Sequence, residues 1–280
     1  MEFTKVGALQ IVLFLVGLLI WVGGPVAMAL IWKFKKKERL TTVLVGAGTF
    51  IIFALILEKP IQNVLLFPTQ MGLQSHGLSQ FVNAHPLLLS FLVGLFPGVF
   101  EETGRFVAFK TILKNRKNKE TSISHGIGHG GIEVILTMAL VYLNNIIYSV
   151  LINSGAYASV VEQTQALAPD QVPQLLALPD QLAAFSFGDF AIGIAERSFA
   201  VLFHIGASIL VFYACRDKKR SYLFPLAVLL HTIMDFVAGL YMTGLLKVTP
   251  VVLELIIFVF GLTTFLGAYF LIYKKDKADE

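Results

Sequence analysis

Charge is what this 280-residue chain has least of. Asp, Glu, Lys and Arg make up 14% of it, where a soluble domain carries about a quarter. Hydrophobic residues supply 56% and the mean hydropathy is +0.76. Several apolar runs reach the roughly 20 residues needed to cross a bilayer. A soluble globular domain is thereby excluded, and the chain reads as an all-α polytopic membrane protein. Cysteine is almost absent too: Cys215 stands alone, so no intramolecular disulfide framework is possible. The net charge of +4 does not point to nucleic acid, because the basic residues gather at the ends of apolar runs. No internal repeat and no second, soluble domain is visible, so residues 1–280 read as a single transmembrane domain.

The first apolar run covers residues 6–32. Ala27-Met28-Ala29 has the look of a signal-peptidase site, but the long run ends in a basic cluster and reads as an uncleaved first span. A second run spans 40–57. Residues 58–85 form a mixed segment with Pro60, Pro68, Gly72 and Gly77, expected to be partly re-entrant or interfacial. Further spans are expected at 86–113, 122–152, 190–215, 222–246 and 251–273. Residues 153–188, with Pro169, Pro173 and Pro179, make the longest polar connection, expected outside. Of the 22 Lys and Arg, 17 fall in residues 33–39, 110–119, 216–220 and 274–277. With seven spans these share one side, and the positive-inside rule makes that side cytoplasmic, with the N-terminus outside. The expected location is a bacterial plasma membrane.

Polar residues inside the spans carry the chemistry. Glu101, Glu102 and Arg105 interrupt the third span, and ionisable residues in such a run face a protein interior or a water-filled cavity. Both carboxylates lie three or four positions from the guanidinium, on its helix face. One can form a structural ion pair; the other remains available as a general base. His125, His129 and Glu133 recur every four residues and form one stripe. Around them, Gly126, Gly128, Gly130 and Gly131 allow backbone or substrate to approach closely. The stripe suits interhelical hydrogen bonds or a functional site. Histidines four apart can also bind zinc, although the His-Glu-x-x-His arrangement of zinc peptidases is absent. On the sixth span His231 and Asp235 share a face, where the Asp can fix the ring tautomer. His204 on the fifth span would by itself be a core residue. Measured along helices at 1.5 Å per residue, however, Glu101, His129, Glu133, His204 and His231 all lie roughly 12–18 Å inside the cytoplasmic ends of their spans. Four helices thus place ionisable groups in one layer. Glu196 and Arg197 read as interfacial or structural.

Glu-Glu-x-x-Arg on one span, a His on a later one and His-x-x-x-Asp on the next resemble the glutamate-dependent intramembrane protease superfamily. That group includes the CAAX prenyl-protein endopeptidases, the bacteriocin-processing proteins and the PrsW proteases. The Gly-x-Gly-His-Gly-Gly-x-Glu stretch ending at Glu133 looks more particularly like the bacterial YhfC-type branch. The resemblance covers residues 86–246. It implies an intramembrane endopeptidase acting on membrane-protein or peptide substrates in or near the bilayer. Glu101 would activate water, with Glu102 and Arg105 orienting it. His204 and His231 would hold the water or stabilise the oxyanion, and Asp235 would support His231. His129 and Glu133, with His125 beside them, would extend the network. The expected cofactor is none; the alternative is zinc, held among His125, His129, Glu133, His204 and His231. A different class, a transporter using the same layer as an ion or proton path, also fits midplane Glu, His and Asp. Pro97-Gly98 could supply the broken helix that transport favours.

Overall fold

The computed structural model describes residues 2–276; Lys277, counted above in the last basic run, lies outside them. Among the described residues there is no strand. Within the described residues seven helices are long and apolar enough to cross a membrane: Ala8–Lys36, Leu40–Leu66, Pro86–Lys110, Glu120–Ser154, Phe187–Arg216, Lys218–Met242 and Pro250–Tyr273. The protein is an all-α, multi-pass membrane protein.

Two expectations about boundaries change. The second span does not stop near residue 57 but runs on to Leu66. Its middle, Phe50–Glu58, is wound as a π-helix, and Pro60 falls in the first turn of the α-helix that follows. A proline is tolerated there because the missing N–H has no α-helical partner to lose. The first third of the segment expected to be partly re-entrant or interfacial is therefore membrane helix, followed by a turn at Pro68–Met71 and a short helix, Gly77–Asn83, capped by His76. Residues 153–188 are not an open connection either. They fold into helices Tyr157–Leu167 and Val172–Ala184, with Pro173 in the first turn of the second.

The described residues form two compact units, one of residues up to Gly24 with Val134–Ala195, the other of Pro25–Glu133 with Glu196 onward. In the first, the Asn153 amide clips the chain start, accepting from Val6 N at 2.9 Å and donating to Val6 O at 2.8 Å. Fully buried Tyr157 donates its hydroxyl to Leu175 O at 2.9 Å. Leu175 is four residues before Pro179, which lies inside the helix, so its carbonyl is the one a proline leaves without an N–H.

The second unit repeats that device in its core. Pro97 lies inside the third span, which stays one continuous helix from Pro86 to Lys110. The carbonyl that Pro97 cannot serve is that of Val93, and buried Gln62 on the second span donates to it at 3.3 Å. The helix expected to break is thus held whole by a side chain from its neighbour. Glycines bring the helices of this unit into backbone contact. A Cβ at Gly128 would lie 1.9 Å from Val43 O, one at Gly126 2.5 Å from Ile205 Cα, and one at Gly94 2.5 Å from Thr232 O. The fourth span is consequently buried on every side from residue 121 to 131.

Gln62→Leu should leave the buried Val93 carbonyl unsatisfied and destabilise the protein by about 1–3 kcal/mol. Pro97→Ala restores the helix's own N–H, so Gln62→Leu should cost little in that background. Thermal unfolding in detergent of the two single variants and the double variant measures the coupling; strictly additive effects would remove Gln62 from this role.

Candidate metal and catalytic site

Every site residue expected from sequence lies in the second unit, and the third, fourth, fifth and sixth spans bring them together. Arg105 is the hub. Fully buried, it donates from Nη1 to Glu102 Oε1 at 2.5 Å, from Nη2 to His204 Nδ1 at 2.6 Å and from Nε to Ser208 Oγ at 3.3 Å. A guanidinium has a rigid fork of donors, and this one is engaged on two helices at once. Glu101 stands 3.9 Å from Arg105 Nη2. Its nearest partner is His129, whose Nε2 lies 2.9 Å from Glu101 Oε2.

His231 Nδ1 lies 2.8 Å from Glu102 Oε1. That contact is closer than the 3.5 Å between His231 Nε2 and Asp235 Oδ2. The carboxylate nearest this ring is therefore Glu102, from another span, rather than the Asp one turn away. With Nδ1 held, Nε2 lies between Asp235 Oδ2 at 3.5 Å and Glu101 Oε2 at 4.0 Å. His204 Nε2 meets Glu133 Oε2 at 2.5 Å. His125 does not reach Glu101; its ring packs on Phe109 with centroids 4.7 Å apart and bonds to Thr49 and Ser208. Of the carboxylates, Asp235 is the most open, its side chain 30% exposed, while that of Glu133 is 17% exposed. Glu196 and Arg197 pair with each other. The glycines around His129 admit backbone: Gly126 and Gly128 face neighbouring main chains, and Gly130 lies under His204.

Two participants, Ser208 and Thr49, and a buried acid of the same unit, Glu58, escaped the sequence reading. Ser208 is four residues after His204, the spacing that puts it on the same helix face. Thr49 lies roughly 15 Å along its helix from the basic turn at Arg39, in the same layer as the other groups. Depth was the available signal, muted by the absence of charge. Glu58 is fully buried and lies 3.2 Å from Lys59 Nζ.

The chain matches the family described as YhfC intramembrane metalloprotease over residues 18–257. It belongs to the YhfC family. It is also 30% identical over 254 residues to the "Uncharacterized membrane protein YhfC" of Bacillus subtilis (strain 168), covering 90% of this chain and 91% of that protein. No solved structure matches. The family's description names a metal, and this YhfC-family chain has a donor set that fits one. Buried Glu101, His129 and His204 each offer a ligand atom within 4.8 Å of the other two. One carboxylate and two imidazoles are ligands of the kind zinc takes in catalytic sites. Both the description and the cluster favour a metal over the expectation of no cofactor, with Glu101 joining His129 and His204 in place of the expected His125, Glu133 and His231.

Arg105→Met should strand Glu102 without its cation and cost about 3–5 kcal/mol. The double variant Arg105→Met with Glu102→Gln should recover part of that loss, as read by chemical unfolding in detergent. Full stability of Arg105→Met alone would remove the guanidinium from its place as hub.

Proposed function

We propose that this chain is a metal-dependent intramembrane endopeptidase that hydrolyses peptide bonds of membrane-embedded or membrane-proximal substrates. The observation that carries the proposal is the Glu101–His129 contact at 2.9 Å inside a buried polar layer, with His204 in reach to complete a ligand set. Glu101, His129 and, once it gives up Arg105 or Glu133, His204 would hold the ion. Its chemistry there would be that of a Lewis acid activating water for attack on a carbonyl.

The other groups act around that centre. Arg105 fixes Glu102 and His204 in place. Glu102 holds His231 through Nδ1, which leaves Nε2 to take a proton from the attacking water and return it to the departing amine. Asp235, 3.5 Å from that nitrogen and partly exposed, supports the charged ring as it forms. Burial of Glu101, Glu102 and Arg105 keeps bulk water away from the charges and strengthens each interaction. The relation to the wider glutamate-dependent superfamily belongs to this same proposal. Its shared feature is a Glu on the third span that meets histidines from later spans. Transport draws less support, because the third span is unbroken at Pro97.

Cells expressing the wild type should show membrane-protein N-termini that are absent with Glu101→Gln at matched levels. The purified protein should carry about one zinc or similar ion per chain, removable by a chelator. Identical N-terminal profiles under several conditions would sink the protease reading, and protease activity without a bound ion would sink the metal.

The proposed orientation, N-terminus outside, has its own check. In a Cys215→Ser background, a cysteine at Thr4 should react with an impermeant maleimide in intact cells. One at Lys275 should react only after permeabilisation. The reverse pattern would invert the topology.

A further inference from the structure

We infer that Thr49, on the second span, is the positioning residue that makes His129 rather than His125 available to a cation. Thr49 sits where the α-helical part of that span gives way to the π-helix, a type of irregularity frequent at functional sites. Its Oγ1 lies 2.6 Å from Gly46 O and donates to it. A hydroxyl has one proton and two lone pairs, so toward every other neighbour Thr49 can only accept. Its two remaining neighbours are both ring nitrogens, His125 Nε2 at 3.2 Å and His129 Nδ1 at 3.3 Å. Each must therefore carry a hydrogen.

The consequence differs for the two rings. Neutral His125, protonated on Nε2, has its lone pair on Nδ1, 3.2 Å from Ser208 Oγ. Ser208 accepts from Arg105 Nε at 3.3 Å, so its own proton goes to His125. Both nitrogens of His125 are thus engaged. Neutral His129, protonated on Nδ1, has its lone pair on Nε2, which points at Glu101 Oε2 at 2.9 Å. Two acceptors at that distance require a cation between them, either a proton or a metal ion. Phe50, the residue after Thr49, meets the His129 ring edge-on with centroids 5.3 Å apart, which fixes the plane in which the lone pair lies.

The remaining histidines obey the same count. His204 takes a guanidinium proton on Nδ1, so its Nε2 proton is directed at Glu133. To become a ligand it must exchange one of those partners. His231 gives Nδ1–H to Glu102 and keeps a lone pair on Nε2, 3.5 Å from Asp235 Oδ2 and 4.0 Å from Glu101 Oε2. Two rings on different spans therefore carry lone pairs within 4.0 Å of Glu101. Thr49 sets one and Glu102 the other. Outer partners of this kind orient ligating histidines and tune their basicity. For the ion itself the inference rests on the metal-dependent reading above; the ring tautomers stand without it.

The test uses the metal-free full-length protein in detergent, with ring-15N-labelled histidine and single His→Gln variants for assignment. Wild type and Thr49→Ser should show His129 protonated on Nδ1. Thr49→Val, nearly the same shape without an acceptor, should move that proton to Nε2, where Glu101 can receive it. Titrated with Co²⁺ alone, Thr49→Val should bind roughly 10–100-fold more weakly than wild type, and Thr49→Ser should restore the affinity. A wild-type His129 with no hydrogen on Nδ1 would overturn the inference. So would equal loss of Co²⁺ affinity in Thr49→Ser and Thr49→Val, both with the wild-type thermal transition. The expected tautomers without any Co²⁺ binding by the wild type would uphold the positioning by Thr49 and remove the metal reading instead.

Discussion

A guanidinium buried within the membrane-spanning layer is the constraint on which the rest of the second unit depends. Removing an ion from water costs several kcal/mol even after relaxation, and good geometry with every donor satisfied is what offsets it. Arg105 meets that condition only because three other groups come to it: Glu102 from its own helix, and His204 and Ser208 from the fifth span. Each of those groups then positions another. Glu102 holds His231, His204 meets Glu133, and Ser208 engages His125. The layer is a connected network in which no histidine is free to choose its proton alone.

Such a network needs short reach between helices, and the glycines provide it. Where a Cβ at Gly46 would fall 2.1 Å from His125 O, and one at Gly98 2.4 Å from Thr232 Oγ1, no larger residue allows the same approach. Without a hydrophobic force between helices in lipid, close backbone packing and interhelical hydrogen bonds are what hold spans together. The same economy governs the prolines. Gln62 and Tyr157 each serve a carbonyl that an in-helix proline leaves open, Val93 O in one unit and Leu175 O in the other. Irregular backbone persists at these points because a side chain from elsewhere completes its hydrogen bonding.

This explains which features could be read from the chain. The spans were legible because bilayer thickness fixes their length. The layer of Glu101, His129, His204 and His231 was legible because charged and imidazole groups inside apolar runs are conspicuous, and helical rise converts sequence distance into depth. Prolines misled in one direction, toward less helix than is there. Pro60 and Pro173 open helical segments, and Pro97 sits inside a whole one. What decides each case is a partner distant in sequence. Thr49 and Ser208 stayed hidden because a hydroxyl in an apolar run carries no charge to mark it. His231 showed its neighbour Asp235 at i+4, while its closer partner Glu102 stands 129 positions away.

The charges of the layer lead to one more conclusion. Glu101 and Glu102 face a single hub cation, Arg105, while Glu133 and Asp235 stand against His204 and His231 of the same site. Two other acid–base pairs of this unit, Glu58 with Lys59 and Glu196 with Arg197, are matched within themselves. If all four carboxylates were ionised, the site would hold more negative charge than one guanidinium can balance, in surroundings where an uncompensated charge is expensive. Water at the partly exposed Asp235 and Glu133 can relieve some of that excess, but little surface is open at Glu101 and none at Glu102. The balance at Glu101 must then come from protons or from a divalent ion. His129, with its lone pair turned to that carboxylate, offers such an ion a ligand, and His231 offers a proton a place to rest. A layer short of positive charge, with lone pairs facing a carboxylate, is suited to hold a cation and to pass protons. Peptide hydrolysis inside a membrane needs both.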